Sequence, residues 1–192
     1  MNSDHIAELA EHPNIVAVKL TCGNVGKMAR LCSQFRPDQF SVFGGSSDYL
    51  VPTLEVGGMG CVTGMGNVFP ASTAALYDTW KAGKRDEAQV CHRISFKAQS
   101  LMCYQKLQYT VANAEWACKK SLSLTKYGAY YFVGKRLGLS KASFDPRKPY
   151  LPPKEPQEKW TVKTMQVLAQ DEEAIFAARN GGNGAKKVNG VH

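Results

Sequence analysis

The stretch that decides the fold is "HPNIVAVKLTCGN", residues 12–24. From Asn14 to Leu20 it is a short apolar, β-branched run, the pattern of a parallel strand buried on both faces. A glycine-containing turn follows at once, as it does where a strand hands over to a helix. One residue disagrees with its surroundings. Lys19 puts an ammonium on a strand end beside a protein interior, which is costly unless the group is paired, exposed or used in chemistry.

The same unit recurs twice downstream. Apolar runs at Phe40–Phe43 and Gly60–Thr63 each lead through a glycine turn, and the three runs precede amphipathic stretches at Val25–Phe35, Asp48–Val56 and Ala71–Ala82. Strands alternating with helices of this length predict βαβ crossovers and an α/β fold with a parallel sheet of about three units. Upstream, "SDHIAELAEHP" reads as the end of another helix, capped by Ser3 or Asp4. The pattern therefore starts midway through a repeat. An eight-stranded β/α barrel takes about 250 residues, and 192 residues hold only part of one.

After Gly83 the alternation stops and the charge changes. Residues 1–83 carry 5 basic and 7 acidic side chains, whereas residues 84–163 carry 16 basic and 6 acidic ones. Helices are predicted over Lys84–Tyr104, over about Val111–Leu137 with Gly128 and Gly134 as weak points, and over Trp160–Arg179. "DPRKPYLPPKEP", near 145–156, is expected to be extended because each proline restricts the residue before it. Residues 180–192 are too polar and glycine-rich to order themselves. The expected organisation is a partial barrel over 1–83, a helical C-terminal region over 84–179 and a disordered tail over 180–192. The basic segment could suit a polyanion, but its lysines are dispersed among apolar helical positions, so no nucleic acid is expected as a partner.

Composition excludes other classes. With 44% hydrophobic and 21% charged residues the chain suits one globular domain with an appendage. No stretch approaches the ~20 apolar residues of a membrane span, and the first residues lack the layout of a secretory signal. Six scattered cysteines, without CxxC or CxxH, are expected to be reduced thiols in a soluble, cytoplasmic protein. The four histidines show no metal spacing, so neither metal nor cofactor is expected. "GGMGCVTGMGN", residues 57–67, has neither the GxGxxG spacing nor a P-loop lysine. Its glycines are better suited to close approach of a short strand to neighbouring backbone and to a small ligand.

Two features could carry chemistry. At the C-terminal end of a barrel strand, where β/α barrels place their reactive groups, Lys19 would be surrounded by apolar strand ends. Desolvation there favours the neutral amine, which attacks a ketone to give a Schiff base; a lysine snorkelling at a strand terminus fits the position equally well. At the end of the second run, "FGGSSD" (Phe43–Asp48) offers backbone N–H groups at the start of a helix. That geometry suits a carboxylate or phosphate, or simply a turn with Ser46 or Ser47 as the helix cap.

Taken together, "HPNIVAVKLTCGN" and "FGGSSDYLVPTLEVGGMGCVTGMGNVFP" resemble the C-terminal half of the dihydrodipicolinate synthase / N-acetylneuraminate lyase family of class I aldolases. Fungal members resembling 4-hydroxy-2-oxoglutarate or 2-keto-3-deoxy-sugar-acid aldolases are the nearest in kind. The resemblance implies strands six to eight of a (β/α)8 TIM barrel followed by a helical appendage. It implies that Lys19 forms the Schiff base with pyruvate or another 2-oxo acid, that Gly45 and Ser46 hold the substrate carboxylate or its extension, and that the backbone of Val62 lines the pocket. An aldehyde as second substrate, and assembly into a homo-oligomer, are implied in the same way. The chain departs from the family in lacking the Gly-x-x-Gly-Glu turn, the early-strand threonines and the proton-relaying tyrosine. Two expectations follow: a pyruvate-dependent carbon–carbon lyase, or a non-catalytic remnant or paralogue that assembles with a full-length partner. In the second case an opened pocket returns water to the amine.

Overall fold

The computed structural model describes residues 1–83 and 104–180. Strands β1 (Ala17–Leu20), β2 (Ser41–Gly44) and β3 (Gly60–Cys61) are parallel and lie in chain order. Lys19 stands opposite Phe43, and Leu20 opposite Gly44, which in turn faces Cys61. Strand β3 is shorter than the run Gly60–Thr63. Thr63 instead caps a 3₁₀ turn, Gly64–Asn67, its hydroxyl accepting from the Met65 N–H at 3.1 Å.

Helices α1 (Ser3–Ala10) and α2 (Val25–Gln34) cover one face of β1 and β2. Their starts follow from asparagine caps: Asn2 Oδ1 accepts from the His5 N–H at 2.9 Å and Asn24 Oδ1 from the Lys27 N–H at 2.8 Å. Asn2 thus holds the cap position expected of Ser3 or Asp4, which lie inside the first turn. Met28 and Leu31, one helical turn apart, are fully buried against Val42 and Leu20. Alternation along β1 turns Val18 and Leu20 toward these helices and leaves Ala17 and Lys19 exposed on the other face.

Past β2, a 3₁₀ turn (Ser47–Tyr49) runs into the short helix α3 (Leu50–Glu55), and after β3 comes α4 (Pro70–Lys81). The C-terminal helices are α5 (Tyr104–Lys120), α6 (Leu122–Ala129) with a π-helical turn at Tyr130–Gly134, and α7 (Glu155–Asn180). The helix expected over 84–104 and the tail over 180–192 fall outside the described residues, apart from Tyr104 and Asn180. The helical stretch expected over 111–137 breaks at Ser121, whose hydroxyl caps α6 through the Ser123 N–H at 3.1 Å. Gly128 does not interrupt α6. Met165 of α7 packs directly against it, since a Cβ there would lie 2.7 Å from Met165 Sδ. Helix α7 begins five residues before Trp160 because Pro156 is tolerated in a first turn, where its missing N–H would have no partner.

A second core joins both sides of Gly83. Leu50, Leu54, Met65, Val68, Phe69 and Leu76 are buried with Leu107 and Val111 of α5 and with Met165 and Leu168 of α7. Helix α4 has no side-chain cap of its own at Phe69. Its first N–H groups are instead satisfied by Glu172 of α7, which accepts from Ala71 at 2.9 Å and Ser72 at 2.6 Å. Glu172→Ala is expected to lower stability by about 1 kcal/mol in urea unfolding, the usual cost of a lost cap.

The β1–β2 end also depends on one glycine. A Cβ on Gly45 would lie 2.6 Å from the Cα of Thr21, a backbone atom that cannot swing away. Gly45→Ala is expected to cost about 1–3 kcal/mol in the same unfolding assay, as overpacking does. Gly66→Ala, where a Cβ meets nothing within 4 Å, is expected to stay within about 0.5 kcal/mol of the parent chain.

Candidate active site

The C-terminal ends of the three strands come together as a small framework. Lys19 lies on β1, one residue before Leu20, and its neighbour across the ladder is Phe43. The Gly45 N–H donates to the Leu20 carbonyl at 2.9 Å, so the "FGGSSD" turn is tied directly to the residue after Lys19. Tyr49 reinforces this link. Its hydroxyl donates to the same Leu20 carbonyl at 2.8 Å and accepts from the Gly45 N–H at 3.0 Å. Burial pushes the Tyr49 phenol above its ordinary range, with the Gly45 bond acting in the opposite sense.

The predicted site residues are distributed as follows. Lys19 is exposed on the face of the sheet away from α1 and α2. Gly45 is half-buried, and Ser46 is 2% exposed, its hydroxyl donating to Asp48 Oδ1 at 2.7 Å. Val62 is 53% exposed and donates its N–H to the Gly44 carbonyl at 2.8 Å. Lys19 shares its row with Phe43 and Gly60, whereas Gly45 and Val62 follow the next row, Leu20–Gly44–Cys61, two residues farther toward the strand ends. Apolar strand ends do not enclose Lys19; water reaches it.

The free N–H groups expected of the turn are partly taken. That of Gly45 serves the β1 link, and that of Ser47 donates to Glu115 Oε2 at 3.0 Å. The Ser47 hydroxyl donates to the same oxygen, as does the Thr63 hydroxyl at 2.6 Å. Glu115 is 3% exposed. The anion at the start of this turn is thus the protein's own carboxylate, presented by α5. A buried carboxylate costs several kcal/mol unless it finds donors, and three of them converge on Oε2.

Helix α5 grips the turn at two further points. Gln108 Nε2 donates to the Asp48 carbonyl at 2.9 Å. Lys119 Nζ pairs with Asp48 Oδ2 at 2.5 Å and lies 5.0 Å from the centroid of the Tyr49 ring. Gln108, Glu115 and Lys119 are spaced seven and four apart, which sets them on one helical face. Sequence reasoning overlooked Tyr49, Glu115 and Lys119. The available signal was Glu115 standing where the stripe Val111–Cys118 calls for an apolar residue.

Around this framework the thiols differ in character. Cys22, exposed in the turn after Lys19, is held below the ordinary thiol range by the Asn24 N–H, with Lys27 adding to the effect. Burial pushes Cys61 up to about 11 and Cys118 to about 12. Among the described residues the cysteines are free, and no His, Cys, Asp or Glu cluster is arranged to hold a metal. Because the thiolate is the nucleophile, iodoacetamide at pH 8 is expected to alkylate Cys22 well before Cys61 or Cys118 in the folded chain, as read by peptide mass spectrometry. Equal rates for the three would contradict these environments.

Residues 1–125 match the profile of the dihydrodipicolinate synthetase family. A Coccidioides immitis (strain RS) protein, provisionally named a mitochondrial 4-hydroxy-2-oxoglutarate aldolase, is 39% identical over 178 residues, 91% of this chain and 52% of the relative. The L-threo-3-deoxy-hexylosonate aldolase of Hypocrea jecorina is 34% identical over 128 residues, 63% of this chain and 36% of its own length. Among solved structures, a dihydrodipicolinate synthase family protein from Coccidioides immitis superposes with a TM-score of 0.74 at 38% identity. That superposition covers 90% of this chain and 52% of the solved one. The chain spans about half the length of these Coccidioides relatives.

Proposed function

This chain belongs to the dihydrodipicolinate synthetase family, and from that premise we propose that it supplies the Schiff-base end of a pyruvate-dependent aldolase. Its three βα units are the C-terminal part of a (β/α)8 barrel, followed by a helical appendage. The observation that carries the reading is the position of Lys19: the penultimate residue of β1, in ladder register with the strand that leads into Gly45–Ser46.

In this mechanism the Lys19 amine adds to the ketone of a 2-oxo acid. Loss of water from the carbinolamine gives an imine, which when protonated draws electrons from the adjacent carbon. The bond beyond that carbon then breaks: its electron pair passes into the iminium to leave an enamine, the hydroxyl of the departing fragment gives its proton to water, and an aldehyde is released; the reverse direction forms the bond. Gly45 and Ser46 receive the substrate carboxylate or its extension, and the Val62 backbone lines the pocket. Names of relatives support the chemical class: both curated proteins above are called aldolases. Assembly into a homo-oligomer belongs to the same proposal.

No helix among the described residues is long and apolar enough to cross a membrane. A cytoplasmic location is part of the proposal, set against the mitochondrial one in the name of the Coccidioides relative.

A second reading has an observation of its own. Lys19 is exposed, and β1 and β3 each have one side without a strand partner among the described residues. Under this reading the chain is a non-catalytic relative that acts through assembly with a full-length partner, its open sheet edges taking up strands.

Incubation with pyruvate and borohydride separates the two. Under the aldolase reading a reduced adduct forms on Lys19, located by peptide mass spectrometry, and Lys19→Arg abolishes it. A folded chain that gives no adduct at Lys19, or labels its surface lysines equally, rules the aldolase reading out for this chain.

A further inference from the structure

Of the groups outside the proposed chemistry, Glu115 is the most tightly committed. It belongs to the C-terminal helices, not to the sheet, yet its Oε2 takes the Ser47 N–H, the Ser47 hydroxyl and the Thr63 hydroxyl. Ser47 follows the Gly45–Ser46 turn directly, and Thr63 follows Val62 directly. One carboxyl oxygen therefore bridges the two loops that flank the proposed substrate pocket. Backbone ties the two loops at their bases, through the pairs Phe43–Gly60 and Gly44–Cys61 and the Val62 N–H donated to the Gly44 carbonyl at 2.8 Å; Glu115 bridges them farther out, at Ser47 and Thr63.

We propose that Glu115 is a positioning residue for the reaction at Lys19. This role rests on the aldolase reading of Lys19 given above. The Leu20–Gly45 and Tyr49–Leu20 bonds fix the turn relative to the lysine strand. Glu115 joins Ser47 to Thr63 beyond the Val62–Gly44 backbone bond, and so sets how far apart the two loops stand where a 2-oxo acid carboxylate would lie. An apolar residue at this place could fill the volume but could not accept from three donors. A shorter acid could accept, but only by drawing the two loops toward α5.

That difference separates positioning from simple support. A residue that only supports the fold changes stability, and any variant that remains folded binds substrate as before. A positioning residue changes the substrate concentration needed, because misplacement of an ångström in a reacting geometry can cost up to about 100-fold.

The test is reductive trapping of pyruvate on Lys19 across a pyruvate concentration series, using the 192-residue chain and its Glu115→Asp and Glu115→Gln variants. Circular dichroism identifies the variants that remain folded. The expected result is a half-saturating pyruvate concentration raised by about 10–100-fold, with the limiting trapping rate within about two-fold of the parent chain. Half-saturation unchanged in a folded variant overturns the positioning role while leaving the aldolase reading intact. Absence of any Lys19 adduct in the parent chain overturns both. Should neither variant fold, Thr63→Val removes one of the three donors and is read in the same way: a raised half-saturation supports the role, and an unchanged one overturns it.

Discussion

Three donors converge on one oxygen of a carboxylate that is almost fully buried, and much of the molecule is arranged around meeting that demand. Glu115 cannot be left without partners in a low-dielectric interior, and its partners lie at the ends of two strands. The C-terminal helix that carries it must therefore stay against the sheet in one register. Gln108 and Lys119 hold the same face to the Ser47–Tyr49 turn, so the placement does not rest on one contact. A three-stranded parallel sheet is a weak object by itself, with faces to bury and edges to cover. Here α5 and α7 bury the surroundings of β3 in one core with α3 and α4, and the helical appendage becomes part of the frame of the strand ends.

The first two strands are secured differently. Backbone comes so close to backbone at Thr21 and Gly45 that no side chain fits between them, and the Tyr49 hydroxyl bridges the Leu20 carbonyl and the Gly45 N–H. Lys19 extends from the strand so held, on the face that the helices do not cover. Its exposure is a consequence of topology: Val18 and Leu20 point into the α1–α2 core, so Lys19, between them, must point away from it. In a barrel that opposite face is the interior. In this three-stranded sheet it meets water.

Some elements were legible because local rules suffice for them. The three βα units follow from period and turn chemistry, and the parallel order agrees with them. The ends of helices were less legible, because several residues compete for the same role. Asn2 rather than Ser3 caps α1, and Pro156 sits inside α7 rather than in the connection before it. Gly128 marks the limit of propensity reasoning. Its low helix preference suggested a break, whereas its lack of a side chain is what lets Met165 pack against α6. The break falls at Ser121, where a hydroxyl competes for the backbone.

By itself the sequence determined the parallel α/β pattern, the strand-end location of Lys19 and the order of Lys19, Gly45–Ser46 and Val62 along the chain. These depend on neighbours within a few residues, where side-chain period and backbone restriction act. Only the tertiary structure decided which anion occupies the Ser47 N–H, that Tyr49 ties two strands, and that Lys19 meets solvent. Each of these is a contact between residues about 30 to 70 positions apart, or the absence of one, and hydrogen-bond partners at that range are chosen by how the layers close on one another.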